Sequence, residues 1–284
     1  MNWIGVLVRT DNRRYSMSKT VYIFRNNKDN SISTCEELIG VLKARGYIIL
    51  KEYREDADLL ACIGGDGTFL SFVHKCRFPS TPIIGINTGH LGFFQEASPN
   101  NLDETIDDIE NGRIKIQKIK PVQAKIITNK NEFYRVGLNE ILVRGHFSHV
   151  SQFDVSIDDT MIQTFSGDGI LISTPVGSTA YNYSLDGSLV SPDLDVLQLT
   201  PVAPMNTNAY RCFHSSILLP ASETIMIKGT GRSTGGGIIL SFDGRTHEFT
   251  NVQHVEITQS TDKEIHLIRH ESYDYWKKLS TKLL

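Results

Sequence analysis

What this chain lacks narrows it first. Its 284 residues hold only four cysteines, Cys35, Cys62, Cys76 and Cys212, and no two form a C-x-x-C pair. That excludes a disulfide framework and fits a reducing cytosol, so a cytoplasmic protein is expected. No apolar run approaches the roughly 20 residues needed to span a bilayer, so no membrane partner is expected. An excess of positive charge is also missing: 29 basic residues face 32 acidic ones, for a net charge of -3. No bulk field therefore attracts nucleic acid or anionic lipid. Any phosphate ligand must be held locally, by backbone N–H groups, helix ends and a metal. Two signatures are absent as well. There is no G-x-x-x-x-G-K-[ST] and no G-x-G-x-x-G, which removes the P-loop and the Rossmann fingerprint.

What is present is an ordinary globular composition, 40% hydrophobic and 21% charged. The length suits two ordinary domains or one large one. Met1–Ser16 holds a short apolar stretch flanked by Arg9, Asp11, Arg13 and Arg14, wrong for a signal peptide. We expect Met17 to be the natural start and residues 1–16 to be an extension. A native tryptic peptide spanning Arg14 to Lys19 with Met17 internal would overturn that.

Val21–Phe24 reads as a strand. Ser33 or Thr34 could cap the helix carrying Leu38, Ile39, Val41 and Leu42, which Gly46 ends. Leu59–Ile63 is a continuous apolar run of the kind a buried parallel strand shows. It feeds directly into Gly64-Gly65-Asp66-Gly67-Thr68, then a helical stripe of Phe69, Leu70, Phe72 and Val73. Pro82–Asn87 is another strand, and Pro99 and Gly112 bracket a further helix. This order implies an α/β domain with an open parallel sheet over residues 17–115. Beyond it, alternating stretches at Ile114–Ile127 and Phe133–Val143, and short strands to His254–Thr258, imply an all-β domain over 116–266. The tail 267–284 is expected as a helix, with Lys277-Lys278 on a solvated face.

Three segments could carry chemistry. At Gly64–Thr68 a strand ends, glycines allow close backbone approach, and a helix N-terminus forms an anion site. Asp66 beside it would repel phosphate unless it binds a metal or accepts a proton, and either role suits phosphoryl transfer. The plain alternative is a tight turn with Asp66 as a helix cap. Gly85–Phe94 holds three glycines and two aromatics, and reads equally as a ligand contact or a loop. Gly167–Asn182 contains Ser178 and Thr179 as candidate caps whose hydroxyls would converge with free N–H groups. His146 and His149 lack a third ligand for zinc, and Thr230–Gly237, with Arg232, reads as a hairpin loop. No residue is assigned as a metal ligand.

Together these segments resemble the NAD kinase family. G-G-D-G-T stands at 64–68, G-x-N-x-G-x-L-G-F at 85–93, Asn-Glu at 139–140, and G-D-G…S-T-P-V-G-S-T-A-Y-N at 167–182. The resemblance covers the chain from about residue 20 onward. G-G-D-G alone is shared with diacylglycerol and sphingoid-base kinases and with phosphofructokinases.

The resemblance implies transfer of the γ-phosphoryl of ATP to the 2′-hydroxyl of the adenosine ribose of NAD, with a divalent cation such as Mg²⁺. It implies that Asp66 is the base or metal-organising carboxylate, with Gly65, Gly67 and Thr68 giving phosphate access. Phe93 and Phe94 match an aromatic pair on the adenine side. Asn139 and Glu140 match a pair that binds NAD. Asp168, Ser178, Thr179, Ala180 and Tyr181 match dinucleotide positions, with Asp168 reaching across a subunit interface. Asp243 resembles an aspartate near the nicotinamide. The tail helix would return to the N-terminal domain, and the assembly would be a homodimer or homotetramer. Two departures stand out: Val176 replaces the usual Thr or Ser, and Ser166 stands where some members carry a basic residue. The competing readings are a lipid kinase sharing G-G-D-G and a non-catalytic NAD-binding sensor.

Overall fold

A computed structural model describes residues 19–145, 150–206, 211–230 and 237–284. Residues 1–16 with Met17, the pair His146 and His149, and Arg232 with most of its loop lie outside the described residues. In chain order the elements are β1 (Thr20–Arg25), α1 (Asp29–Ala44), β2 (Ile48–Leu50), β3 (Leu59–Ile63), α2 (Asp66–Lys75), β4 (Ile83–Ile86), α3 (Leu102–Glu110) and β5 (Ile114–Ile119). Strands β6 (Val122–Thr128), β7 (Glu132–Gly137), β8 (Glu140–Gly145), β9 (Ser151–Ile157), β10 (Thr160–Gly167) and β11 (Gly169–Ser173) follow. After α4 (Tyr181–Ser184) come β12 (Val196–Val202), β13 (Ile217–Pro220), β14 (Ile225–Gly229), β15 (Gly237–Phe242), β16 (Arg245–Thr250) and β17 (Val252–Gln259). The chain ends with β18 (Ile265–His270) and α5 (Tyr275–Leu283).

Two compact units result. One runs to Lys118 and takes up the chain again from Ile265 to Leu284; the other is Ile119–Glu264. The first holds a six-stranded sheet in the order β2-β1-β3-β4-β18-β5. Its pairs β1–β2, β1–β3, β3–β4 and β4–β18 are parallel. Every residue of β3 and β4 is buried, as the unbroken apolar runs Leu59–Ile63 and Ile83–Ile86 require. Cys62 is one of these core residues, and burial raises its thiol pKa. The second unit is all β, two antiparallel six-stranded sheets ordered β10-β9-β14-β17-β6-β7 and β13-β12-β11-β8-β15-β16. Phe153, Phe165, Ile126 and Val255 of one sheet join Ile141, Ile170, Leu199 and Leu240 of the other in one core.

The sequence reading departs from this fold in identifiable places. Helix α1 starts a turn earlier than expected: Ser33 and Thr34 lie inside it, their hydroxyls donating back to the Asp29 and Asn30 carbonyls. The run Ile114–Ile127 is two strands, broken where Pro121 has no N–H to give a ladder. The run Phe133–Val143 breaks at Leu138-Asn139, sending β7 and β8 into different sheets. Strand β18, which joins the parallel sheet, was not anticipated. Helix α5 belongs to the α/β unit as expected, but its Lys278 is not solvated: the side chain is 11% exposed and lies against Glu96 at 3.4 Å.

Candidate functional site

In the α/β unit the site grows from the end of β3. The Gly64 N–H donates to the Ile86 carbonyl at 2.9 Å, tying the turn to the end of β4. Its φ is +151°, and a Cβ there would lie 2.5 Å from Thr68 Oγ1 and 2.8 Å from Asn26 Nδ2, so only glycine fits. Asn26 Nδ2 in turn donates to Thr68 Oγ1 at 3.1 Å, which fixes the first turn of α2. The opening turn of a helix leaves N–H groups without intrahelical partners. Over that turn, Gly65 and Gly67 have open space where a side chain would stand. An anion can approach the backbone there.

Asp66 is the first residue of α2 and not its N-cap, which is Gly65. Its carboxylate reaches to the loop after β4. Oδ2 accepts the Phe93 N–H and Oδ1 accepts the Phe94 N–H, each at 3.1 Å. Lys282 Nζ of α5 donates to Oδ2 at 2.5 Å. Both glycine-rich segments of this unit therefore meet on one carboxylate. Gly92 makes that possible: a Cβ there would lie 1.8 Å from Gln95 Oε1 and 2.5 Å from Asp66 Oδ1. Phe94 turns inward and stacks on Phe69, centroids 4.6 Å apart. Phe93 lies beneath the Lys282 ammonium, 4.1 Å from the ring centre.

In the all-β unit the Asn139–Glu140 pair sits at the break between β7 and β8. The Asp243 carboxylate accepts the Leu138 N–H at 2.6 Å and the Asn139 N–H at 2.8 Å. It does so from the β15–β16 turn, where Asp243 and Gly244 both have positive φ. Thr174 holds the same segment from the other side: its Oγ1 donates to the Leu138 carbonyl at 2.7 Å, and its N–H to the Asn139 carbonyl at 2.9 Å. Asn139 Oδ1 and Glu140 Oε2 are buried polar atoms with no hydrogen-bond partner. Burial, with the Asp243 charge adding to it, pushes the Glu140 carboxyl up to about 8. A protonated carboxyl beside an unpaired amide oxygen is suited to a polar ligand carrying both donors and acceptors.

The block after β11 packs onto this segment. A Cβ on Gly177 would lie 1.9 Å from the Asn139 carbonyl, so glycine is needed for the contact. Ser178 and Thr179 do not act as caps. Ser178 is fully buried, its Oγ accepting the Val190 N–H at 3.1 Å, while Thr179 Oγ1 donates to the Val176 carbonyl at 3.2 Å. The convergence of hydroxyls expected here is therefore replaced by an internal lock. Asn182 completes it, fully buried, with Oδ1 accepting the Thr200 hydroxyl at 2.7 Å. Ala180 is half-buried and Tyr181 is exposed. Asp168 is exposed between Gly167 and Gly169, both too tightly packed to carry a Cβ. Ser166 is buried.

Sequence reasoning missed Lys282, Lys278 and Gln95 around Asp66, and Thr174 behind Asn139. The two lysines share one face at i, i+4 spacing, a signal that marks a helix face without naming what it meets. Among the described residues no group of three His, Cys, Asp or Glu side chains could hold a metal ion. Nor is any described helix long and apolar enough to cross a membrane.

A carboxylate set beside a helix N-terminus at the end of parallel strands puts a proton acceptor next to a backbone anion site. The family model described as the ATP-NAD kinase N-terminal domain matches residues 47–114, and that of the ATP-NAD kinase C-terminal domain matches residues 138–270. The NAD kinase of Finegoldia magna is 38% identical over 271 residues, 94% of this chain and 98% of that one. That of Clostridium botulinum is 34% identical over 290 residues, 100% of this chain and 96% of that one. The chain belongs to the NAD kinase family. Two solved structures share its fold: a yeast NADH kinase complexed with NADH, and an NAD kinase from Archaeoglobus fulgidus in complex with ATP. The yeast structure has a TM-score of 0.79 at 22% identity, covering 93% of this chain and 86% of that one. The archaeal one has 0.72 at 21% identity, covering 93% and 98%.

Proposed function

We propose that this chain transfers the γ-phosphoryl group of ATP to the 2′-hydroxyl of the adenosine ribose of NAD, giving NADP and ADP. The observation that carries this reading is the Asp66 carboxylate, fixed by the Phe93 and Phe94 N–H groups beside the open first turn of α2. In the reaction the 2′-oxygen bonds to the γ-phosphorus as the bond to the β-phosphate bridging oxygen breaks. The hydroxyl proton passes to Asp66. Gly65, Gly67 and Thr68 admit the phosphates to the helix N-terminus. Asn139 and Glu140 hold the dinucleotide through their unpaired buried oxygens, assisted by Thr179, Ala180 and Tyr181. Ser178 and Asp243 shape that surface from behind. Phe93 lines the adenine side, and Phe94 holds the loop through its stack on Phe69.

A divalent cation would arrive on the ATP phosphates, since Mg²⁺ keeps most of its waters and uses few protein carboxylates. We further read the protein as cytoplasmic and as a homodimer or homotetramer, with the exposed Asp168 directed at the neighbouring subunit's dinucleotide.

The test is formation of NADP from NAD, ATP and Mg²⁺ by the purified protein, with diacylglycerol and a sphingoid base as alternative acceptors. NADP formation without lipid phosphorylation supports the reading. Lipid phosphorylation, or NAD binding without turnover, would replace it with the lipid kinase or the sensor.

A further inference from the structure

Asp66 and the loop that grips it are held in place by the last twenty residues of the chain. Arg269, on β18, is 3% exposed. Its Nη2 donates to the Phe93 carbonyl at 2.9 Å, and its Nη1 pairs with Glu96 at 3.1 Å. From α5, Lys278 donates to the Gln95 carbonyl and pairs with the same Glu96. One turn further, Lys282 donates to Asp66 Oδ2 and lies over the Phe93 ring. The Phe93 and Gln95 carbonyls and the Glu96 carboxylate are thus bound by Arg269 and Lys278, while the N–H groups of Phe93 and Phe94 donate to Asp66. Lys282 is the remaining contact, and it touches Asp66 directly. The family match ends at residue 270, so α5 lies beyond it.

Resting on the proposed function, we infer that Lys282 is a positioning residue for phosphoryl transfer. Its ammonium holds the Asp66 carboxylate in one rotamer, facing the acceptor hydroxyl. Two backbone N–H bonds at 3.1 Å orient the carboxylate, but its terminal torsion is intrinsically broad. A third, charge-assisted bond from one side removes that freedom. Misplacing a reacting group by about 1 Å costs on the order of a hundredfold in rate. Lys282 is 25% exposed and sits on a helix at the surface of this unit, so its loss leaves the core untouched.

The experiment compares Lys282→Met, Lys282→Arg and the control Lys277→Met, whose side chain is exposed on the same helix. Steady-state NADP formation and hydrogen exchange at the Phe93 and Phe94 amides are both measured, with melting temperature as a check on folding. For K282M we expect kcat to fall about ten- to a hundredfold, with KM for NAD and ATP within about twofold of wild type. K282R should recover most of the rate, because it restores the charge at Asp66. Exchange at Phe93 and Phe94 should speed up in K282M and not in K277M. The inference is overturned if K282M turns over like K277M, or if K282R is as slow as K282M. It is also overturned if exchange at these two amides is unchanged. If the wild type makes no NADP, the proposed function fails, and the exchange measurement alone decides whether Lys282 holds Asp66.

Discussion

Glu140 is buried close enough to Asp243 that burial first, and then the Asp243 charge, oppose ionisation of the Glu140 carboxyl. Its carboxyl therefore keeps a proton up to about pH 8, where an unfolded glutamate would have lost it near 4.5. Over that window the folded state binds the extra proton, so its stability is fully present below pH 4.5 and declines as pH rises toward 8. Glutamine in place of Glu140 mimics the protonated acid and removes the slope. Melting temperatures of the wild type and Glu140→Gln at pH 5 and pH 8.5 test this. The wild type should lose several degrees relative to the variant between the two. Parallel curves would contradict the assignment.

Gly92 leaves no room for a methyl group. A Cβ would fall 1.8 Å from Gln95 Oε1 and 2.5 Å from Asp66 Oδ1. Gln95 can swing aside, but Asp66 would have to leave its two N–H donors. Gly92→Ala should therefore fold with little loss of melting temperature and lose roughly a hundredfold in kcat. Kinetics at saturating NAD and ATP check it, and turnover near that of the wild type would show that the carboxylate tolerates displacement.

Val176 opens the turn whose Gly177 packs on the Asn139 carbonyl. A threonine there would place a hydroxyl near the dinucleotide surface. Val176→Thr should tighten NAD binding by about 0.5–1.5 kcal/mol, the worth of one neutral hydrogen bond. Titration calorimetry with NAD measures it directly, and an unchanged or weakened affinity would place residue 176 away from the ligand.

The parts legible in the sequence are those governed by local rules. Leu59–Ile63 and Ile83–Ile86 could be read as buried parallel strands because each is apolar throughout. The glycines at 64, 65 and 67 could be read as a strand-to-helix turn. Long-range geometry could not be read. Arg245–Thr250 is a strand whose only buried residue is Phe249, so it carries no apolar pattern. Ile265–His270 joins a sheet begun more than two hundred residues earlier, and nothing local signals its partner. The same holds at the site. Asp66 was singled out by its place in the turn, whereas Lys282, 216 residues away, reaches it only through the fold. The locking roles of Ser178 and Asp243 were hidden for the same reason, since a side chain's partner is not encoded in its neighbours.

The central claim is that Asp66 accepts the proton of the attacking ribose hydroxyl, and Asp66→Asn tests it most directly. Asparagine keeps the size and can still accept one of the two loop N–H groups, but it cannot take a proton. Turnover of NAD to NADP with saturating ATP and Mg²⁺ should fall about 10²–10⁴-fold while the protein melts and binds NAD much as the wild type does. Near-normal turnover in the folded variant would contradict the claim.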